Sequence, residues 1–258
     1  MYYDNETYLT TAIGNNAIDF EQRKKLWSDC VLRIPQMIQG MLSDIVIARH
    51  EAIHYEYVSD KNKLVSAYGL ESLVHIIQWY KNIYIIDNHN HAFYCRYKSY
   101  QEWVVPRWSH LIHIDQHSDL NELSLQETVY PVRTAGKQSI IDKDSSLEDV
   151  ATYTNEVLDI ASFIKPAKKI WLISNYEMIL TEYSLLTMKP WDYETMPLIV
   201  DIDLDFRAPE MSISEYSKTI VQVRKIITLP QVRCITIATS PTYIDQQKAI
   251  EILTDIIS

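Results

Sequence analysis

Glycine is scarce in this chain, with four in 258 residues. Gly14, Gly40, Gly69 and Gly136 stand alone, so neither a phosphate-cradling P-loop nor a dinucleotide fingerprint can be written here. Cysteine is scarce too. Cys30, Cys95 and Cys234 are odd in number and share no metal-ligand spacing, which argues against a disulfide framework and for a reducing, cytoplasmic home. Basic residues are outnumbered, 24 Lys and Arg against 34 Asp and Glu, for a formal net charge of −10. A protein that grips nucleic acid through its phosphates needs a basic face, so nucleic acid is not an expected partner. No apolar stretch approaches the roughly 20 residues of a membrane-spanning helix. The opening Met-Tyr-Tyr-Asp-Asn-Glu carries no basic leader with an apolar run behind it, so no membrane partner is expected either.

What the chain does have is a change of texture near residue 81. Before it, residues 21–42 and 64–81 place apolar side chains at spacings of three and four, the pattern of amphipathic helices. Residues 1–80 are therefore expected to form a helical elaboration packed on a core of residues 81–258. In that core, short apolar runs at 83–86, 110–114, 170–173, 197–204 and 234–238 alternate with helical stretches at 146–163, 212–227 and 243–257. Such alternation implies crossover connections, and the expected fold is a three-layer α/β/α domain with a mostly parallel sheet. Ligands of such sheets bind at the carboxyl ends of the strands.

Three of the runs end in ionisable residues. The first leads into Asp87-Asn88-His89-Asn90-His91, the second into Asp115-Gln116-His117-Ser118-Asp119, and the third into Asp201-Ile202-Asp203-Leu204-Asp205. In extended chain, residues two apart face the same side, so each acidic triplet is expected to form a row. Carboxylates lined up at a strand end repel one another and are costly to desolvate. A bound cation removes that cost. Four or five carboxylates with one or two imidazoles suit a divalent ion such as Mn²⁺, and there are ligands enough for two. Either triplet alone arises too readily by chance to mean much; two together, each after a strand-like run, are specific.

These segments resemble a family. His-Ile-Asp-Gln-His-Ser-Asp-Leu is similar to the Asp-x-His-x-Asp signature of the arginase/agmatinase/deacetylase (ureohydrolase) superfamily, and Asp201–Asp205 is similar to its Asp-x-Asp signature. With Asp-Asn-His-Asn-His-Ala added, the combination most resembles the branch that includes the bacterial peptide arginases. The resemblance covers roughly residues 80–245 and implies an arginase-like fold and two Mn²⁺ ions. Asp115, His117 and Asp119 match the first metal motif, and His89 matches a histidine from an earlier strand end, with His91 as the alternative there. Asp203 and Asp205 fall on the second motif, with Asp201 behind them; shifting the match by two makes the ligands Asp201 and Asp203. The implied reaction is attack of a metal-bridging hydroxide on an arginine guanidinium within a ribosomally made precursor peptide, giving ornithine and urea. Asp119 is the implied proton carrier.

Three departures from the family accompany the match. No histidine follows His117, so the usual proton-shuttling histidine is absent, and His91, His54, Tyr130, Tyr176 or solvent must take its place. Ala238 stands where arginases place a guanidinium-binding glutamate, for which Glu177 is the candidate replacement. The segment after Asp119 lacks the polar loop that holds free arginine's α-groups. Keeping the metal ligands while losing that loop favours a peptide substrate over a free guanidino compound. An acyl-lysine hydrolase and a non-catalytic peptide-binding protein remain alternatives. So does a zinc protease, because His50-Glu51-Ala52-Ile53-His54 fits His-Glu-x-x-His, although its β-branched and aromatic flanks disfavour a helix. Most of the 18 Tyr and 6 Trp are expected in packing, with a few, Trp103 and Trp108 among them, available to line a peptide groove.

Overall fold

The computed structural model describes residues 2–9, 32–49, 53–58, 61, 63–78, 80–122, 141–189, 195–206 and 213–258. Seven strands form the main sheet: β3 (Met37–Gln39), β6 (Leu73–Gln78), β7 (Lys81–Ile86), β8 (Ser109–Ile114), β9 (Ile173–Ile179), β10 (Leu198–Asp203) and β11 (Val232–Ala238). Their order is β3-β6-β7-β11-β10-β8-β9. The five strands from β7 to β9 run parallel, and β6 adds antiparallel to β7 at one edge. Helix α1 (His91–Gln101) follows β7, α2 (Leu147–Glu156) and α3 (Ile164–Lys169) lie between β8 and β9, and α4 (Glu182–Thr187) leads to β10. Helix α5 (Ile213–Ile227) joins β10 to β11, and α6 (Gln246–Ile257) follows β11. The fold is α/β with a mostly parallel sheet, as expected.

Strand alternation divides the core in two. Tyr84, Ile86, Leu111, Ile199 and Cys234 pack with Phe93 and Tyr97 of α1, Val150 of α2 and Ile164 of α3. Ile85, Ile112, Ile114, Val200, Ile202, Ile235 and Ile237 pack on the other face with Leu185 of α4, Ile220 of α5 and Ile252 of α6. Because β8 and β10 are neighbours whose following helices cover opposite faces, a crevice opens between their carboxyl ends, where such sheets place their ligands. Period two carries the first face up each strand from Leu111 through His113 to Asp115, and from Ile199 through Asp201 to Asp203.

The N-terminal part corrects the expectation of helices. The stretch 64–81 forms β5 (Leu64–Tyr68) and β6, broken at Gly69, and 32–42 contributes β2 (Leu32–Ile34) and β3; residues 21–31 lie outside those described. With β1 (Thr7–Leu9) and β4 (Ile53–Val58), strands β2 and β5 form a second sheet in the order β1-β2-β4-β5. No α-helix occurs among the described residues of 1–80. Spacings of three and four misled because Leu64-Val65 and Ile76-Ile77 are adjacent pairs that satisfy either period, whereas the β-branched content favours strand. Two smaller differences concern the core: the strand expected at 170–173 begins only at Ile173, and α1 carried no helix expectation.

Candidate metal centre

Both acidic motifs leave their strands in the same way. Strand β8 ends at Ile114, and the next residue, Asp115, accepts the His117 backbone N–H on Oδ1 at 2.7 Å. Asp203 ends β10 and accepts the Asp205 backbone N–H on its own Oδ1 at 3.1 Å. These are Asx turns, which require a spacing of two. The expected extended rows are therefore replaced by turns that curl each motif over the strand ends. Asp119, at the end of its motif, lies in the left-handed region with φ 49°.

The turns bring most of the expected residues together. His89 Nδ1 lies 3.3 Å from Asp115 Oδ2, 3.0 Å from Asp119 Oδ2 and 3.3 Å from Asp203 Oδ2. His117 Nδ1 lies 3.3 Å from Asp115 Oδ1 and 3.2 Å from Asp205 Oδ2. Ligand atoms of one octahedral ion with bonds of about 2.1 Å sit about 3 Å apart, so both spacings fit a common cation. Asp115 offers one oxygen to each set; Asp203 Oδ2 lies with the first, where it also accepts the Ser240 hydroxyl at 2.6 Å. His89 Nδ1, Asp115 Oδ2, Asp119 Oδ2 and both Asp205 carboxylate oxygens are buried without an aligned hydrogen-bond partner. Buried polar atoms are otherwise almost always paired. These groups of His and Asp can hold metal ions. Four carboxylates would balance the charge of two divalent cations.

Protonation reflects the crowding. Burial, then the Asp203 and Asp115 charges, push the Asp205 carboxyl up to about 9. Burial and Asp115 likewise raise Asp119 to about 6, against the pull of His89. Asp115 is raised by burial, but the close approach of His113 and His89 outweighs it and holds the acid low.

Asp201 lies deeper and anchors Arg96, His89 and His113, and with the two imidazoles it is itself a group that could hold an ion. Its Oδ1 accepts from the Thr236 hydroxyl and lies 2.7 Å from Arg96 Nη2; its Oδ2 is 2.7 Å from His113 Nδ1 and 3.0 Å from His89 Nε2. Burial alone would raise Asp201, but Arg96 foremost, with His89 and His113, holds it well below the usual carboxylate range. Its bond to His89 Nε2–H turns Nδ1 of the same ring toward the other acids, the usual way a carboxylate orients a metal-ligating imidazole. His113 differs from His89. Its Nε2 faces the His117 carbonyl at 3.2 Å, so both ring nitrogens meet acceptors. The ring is raised to about 9 because Asp115 and Asp201 outweigh its burial. Against its burial, Asp201, Asp115 and Asp119 raise His89 well above its ordinary value too, so an ion would have to displace a proton from either ring.

A cavity of about 260 Å³ opens over His89, Asp119 and Asp203, with Asn88, Asn121, Ser240, Thr242 and Tyr243 among its walls. The Tyr243 ring packs 5.0 Å from that of His117. Other expected residues lie elsewhere. His91 turns away from the acids into a buried cluster with Asp87 and Tyr3. Glu177 sits within β9 opposite Ile112, on the sheet face away from His113, and does not line the cavity. Tyr176 packs on the core beneath Lys168, and Tyr130 lies outside the described residues. Trp103 and Trp108 stand exposed where β8 begins, the end of the sheet opposite the acids. His54 is buried on strand β4, not on a helix; His50 and Glu51 of the zinc-protease pattern lie outside the described residues.

Three residues were missed. His113 was open to discovery, since period two places it on the Asp115 face; Arg96 and Tyr243 had no local signal, because long-range packing brings them in. No protein-family model matches this chain, and no curated protein matches it. No helix among the described residues is long and apolar enough to cross a membrane.

Proposed function

We propose that the chain is a hydrolase that holds two Mn²⁺ ions and converts arginine side chains within a peptide to ornithine, releasing urea. This is the reaction of the peptide arginase branch of the ureohydrolase superfamily. One observation carries the reading: buried ligand atoms of His89, Asp115, Asp119 and Asp205, none with an aligned hydrogen-bond partner, converge at the ends of parallel strands with the spacing of a shared cation.

One site would use His89, Asp115, Asp119 and Asp203, the other Asp115, His117 and Asp205. A guanidinium is delocalised and stays charged at physiological pH, so water alone attacks it poorly. Two divalent ions supply a nucleophile from water at neutral pH and offset the charge of the acids. The chain's own residues do the rest. Asp119 and Asp203 face the cavity as carboxylates and favour a cationic group there. Asp119, which lines the cavity beside His89, is placed to take the proton of the attacking water and deliver it to the leaving nitrogen as the carbon–nitrogen bond breaks. The side-chain amine leaves as ornithine and the carbon departs as urea. Asn88, Asn121, Ser240 and Thr242 offer neutral hydrogen-bonding groups suited to peptide amides. Among the described residues neither Lys nor Arg lines the cavity to match the carboxylate of free arginine.

Mass spectrometry of an arginine-containing precursor peptide incubated with the protein and Mn²⁺ tests this. Each converted arginine becomes lighter by the amidine carbon and its two nitrogens, with matching urea. Asp203→Ala abolishes the shift. An unchanged peptide mass with the metal-loaded wild type, or loss of acyl groups from lysine instead, contradicts the reading.

A further inference from the structure

His54 takes no part in the acid cluster, yet it is fully buried and joined to it through the chain. Its Nδ1 meets Asp87 Oδ2 in a short contact, and its Nε2 faces Arg33 Nη1 at 3.3 Å. Arginine only donates, so Nε2 accepts and the proton on Nδ1 is given to Asp87. The His54 carbonyl accepts the Asn88 side-chain amide at 2.9 Å. On the other side of Asp87, His91 Nε2 stands 3.2 Å from Oδ1. His91 Nδ1 lies 2.7 Å from the Tyr3 hydroxyl, which itself accepts from Asn155 at 3.0 Å. Tyr3 therefore donates to His91, whose remaining proton goes to Asp87. The Asn88 backbone N–H donates to Oδ1 as well, at 2.7 Å. Among the described residues, the donors to the Asp87 carboxylate thus come from the N-terminal sheet or from the segment that carries His89.

Strand β4 and Tyr3 in this way hold residues 87–91 from outside the main sheet. Gly69 completes the fit, since a Cβ there would lie 2.5 Å from Asp87 Oδ2 and 2.6 Å from His54 Nδ1. The backbone has been kept bare where the two side chains meet.

We propose that His54 and Asp87 are positioning residues for the ion held by His89, a clasp through which the N-terminal sheet sets the backbone from which that imidazole reaches Asp115, Asp119 and Asp203. The proposal rests on the two-ion reading above. His89 needs such support because a ligand displaced by about half an ångström no longer matches its ion. His117 and Asp205 are carried by other loops, so the second ion does not depend on the clasp.

Calorimetric titration of metal-stripped full-length protein with Mn²⁺, with electron paramagnetic resonance of the loaded samples, tests it. Wild type takes up two ions with the spectrum of a coupled pair. His54→Leu and Gly69→Ala weaken one ion by about 10–100-fold and leave a single-ion spectrum at limiting Mn²⁺. His54→Asn, whose amide N–H replaces the lost donor to Asp87, restores the pair. Wild-type binding of both ions by His54→Leu and Gly69→Ala overturns the clasp. So does a parallel loss of both ions together with a lower melting temperature of the metal-free protein, the mark of a purely structural role. If His54→Leu does not fold, Gly69→Ala and His54→Asn decide. Wild type binding no ion at all removes the two-ion reading itself, and the clasp with it.

Discussion

Asp205 and His113 are pushed in the same direction by different surroundings: each is held in its protonated form, Asp205 by burial among acids and His113 by contact with them. An acid with a raised folded-state pKa contributes stability below its unfolded value, about 3.9, and loses it as pH climbs through about 9. His113 contributes fully below about 6.5 and loses its share through the same upper range. The metal-free protein is therefore expected to lose stability most steeply from about pH 6.5 to about pH 9, where both groups contribute. Ions that replace the protons on Asp205 and Asp119 stabilise more as pH rises. Thermal unfolding with chelator and with Mn²⁺ across that range should show a gap in melting temperature that widens with pH; a constant gap contradicts the assignment of these acids as ligands. At this scale the sequence was informative where chemistry is local. Asp115, His117, Asp119, Asp203 and Asp205 were legible because their spacing of two stands out after strand-like runs, although at Asp115 and Asp203 that spacing serves an Asx turn and not the extended row expected. Arg96 was not, because nothing near it in the chain requires a buried cation.

Arg96 also shows how elements are tied together. It stands on α1, fully buried, with Nη2 2.7 Å from Asp201 of β10 and its guanidinium carbon 5.1 Å from the centre of the Phe163 ring. Removing one partner of a buried pair leaves an uncompensated charge, at a cost of about 3–5 kcal/mol. Arg96→Met should destabilise the metal-free protein by that order in denaturant unfolding, and adding Asp201→Asn should recover part of the loss. Equal stability of wild type and Arg96→Met would contradict the role of Asp201 as an anchor. The strands β7, β8, β10 and β11 were readable because buried parallel strands are continuous apolar runs. The N-terminal strands were not, because their side chains fit helical spacing as well, and only the pairing of β4 with β5 and of β6 with β7 decides between the two. The same failure hid the clasp: a helix over 64–81 gives Gly69 no reason to be there.

For the whole molecule, strand order makes the site. The chain places β7, β8 and β9 outward, then returns to insert β10 and β11 between β7 and β8, so three separate loops converge over one crevice. His89, Asp115 and Asp203 are each more than 25 residues apart in sequence from the next, yet the sheet brings their ligand atoms to 3.3 Å of His89 Nδ1. Repelling acids collected this way are tolerable only if something positive lies among them. The most direct measurement of that claim is anomalous diffraction at the manganese edge from crystals grown with Mn²⁺. Two peaks about 3.5–4 Å apart are predicted, the usual separation of paired catalytic ions, one beside His89, Asp119 and Asp203 and the other beside His117 and Asp205, with Asp115 between them. Well-ordered side chains with no peak among them would contradict the account.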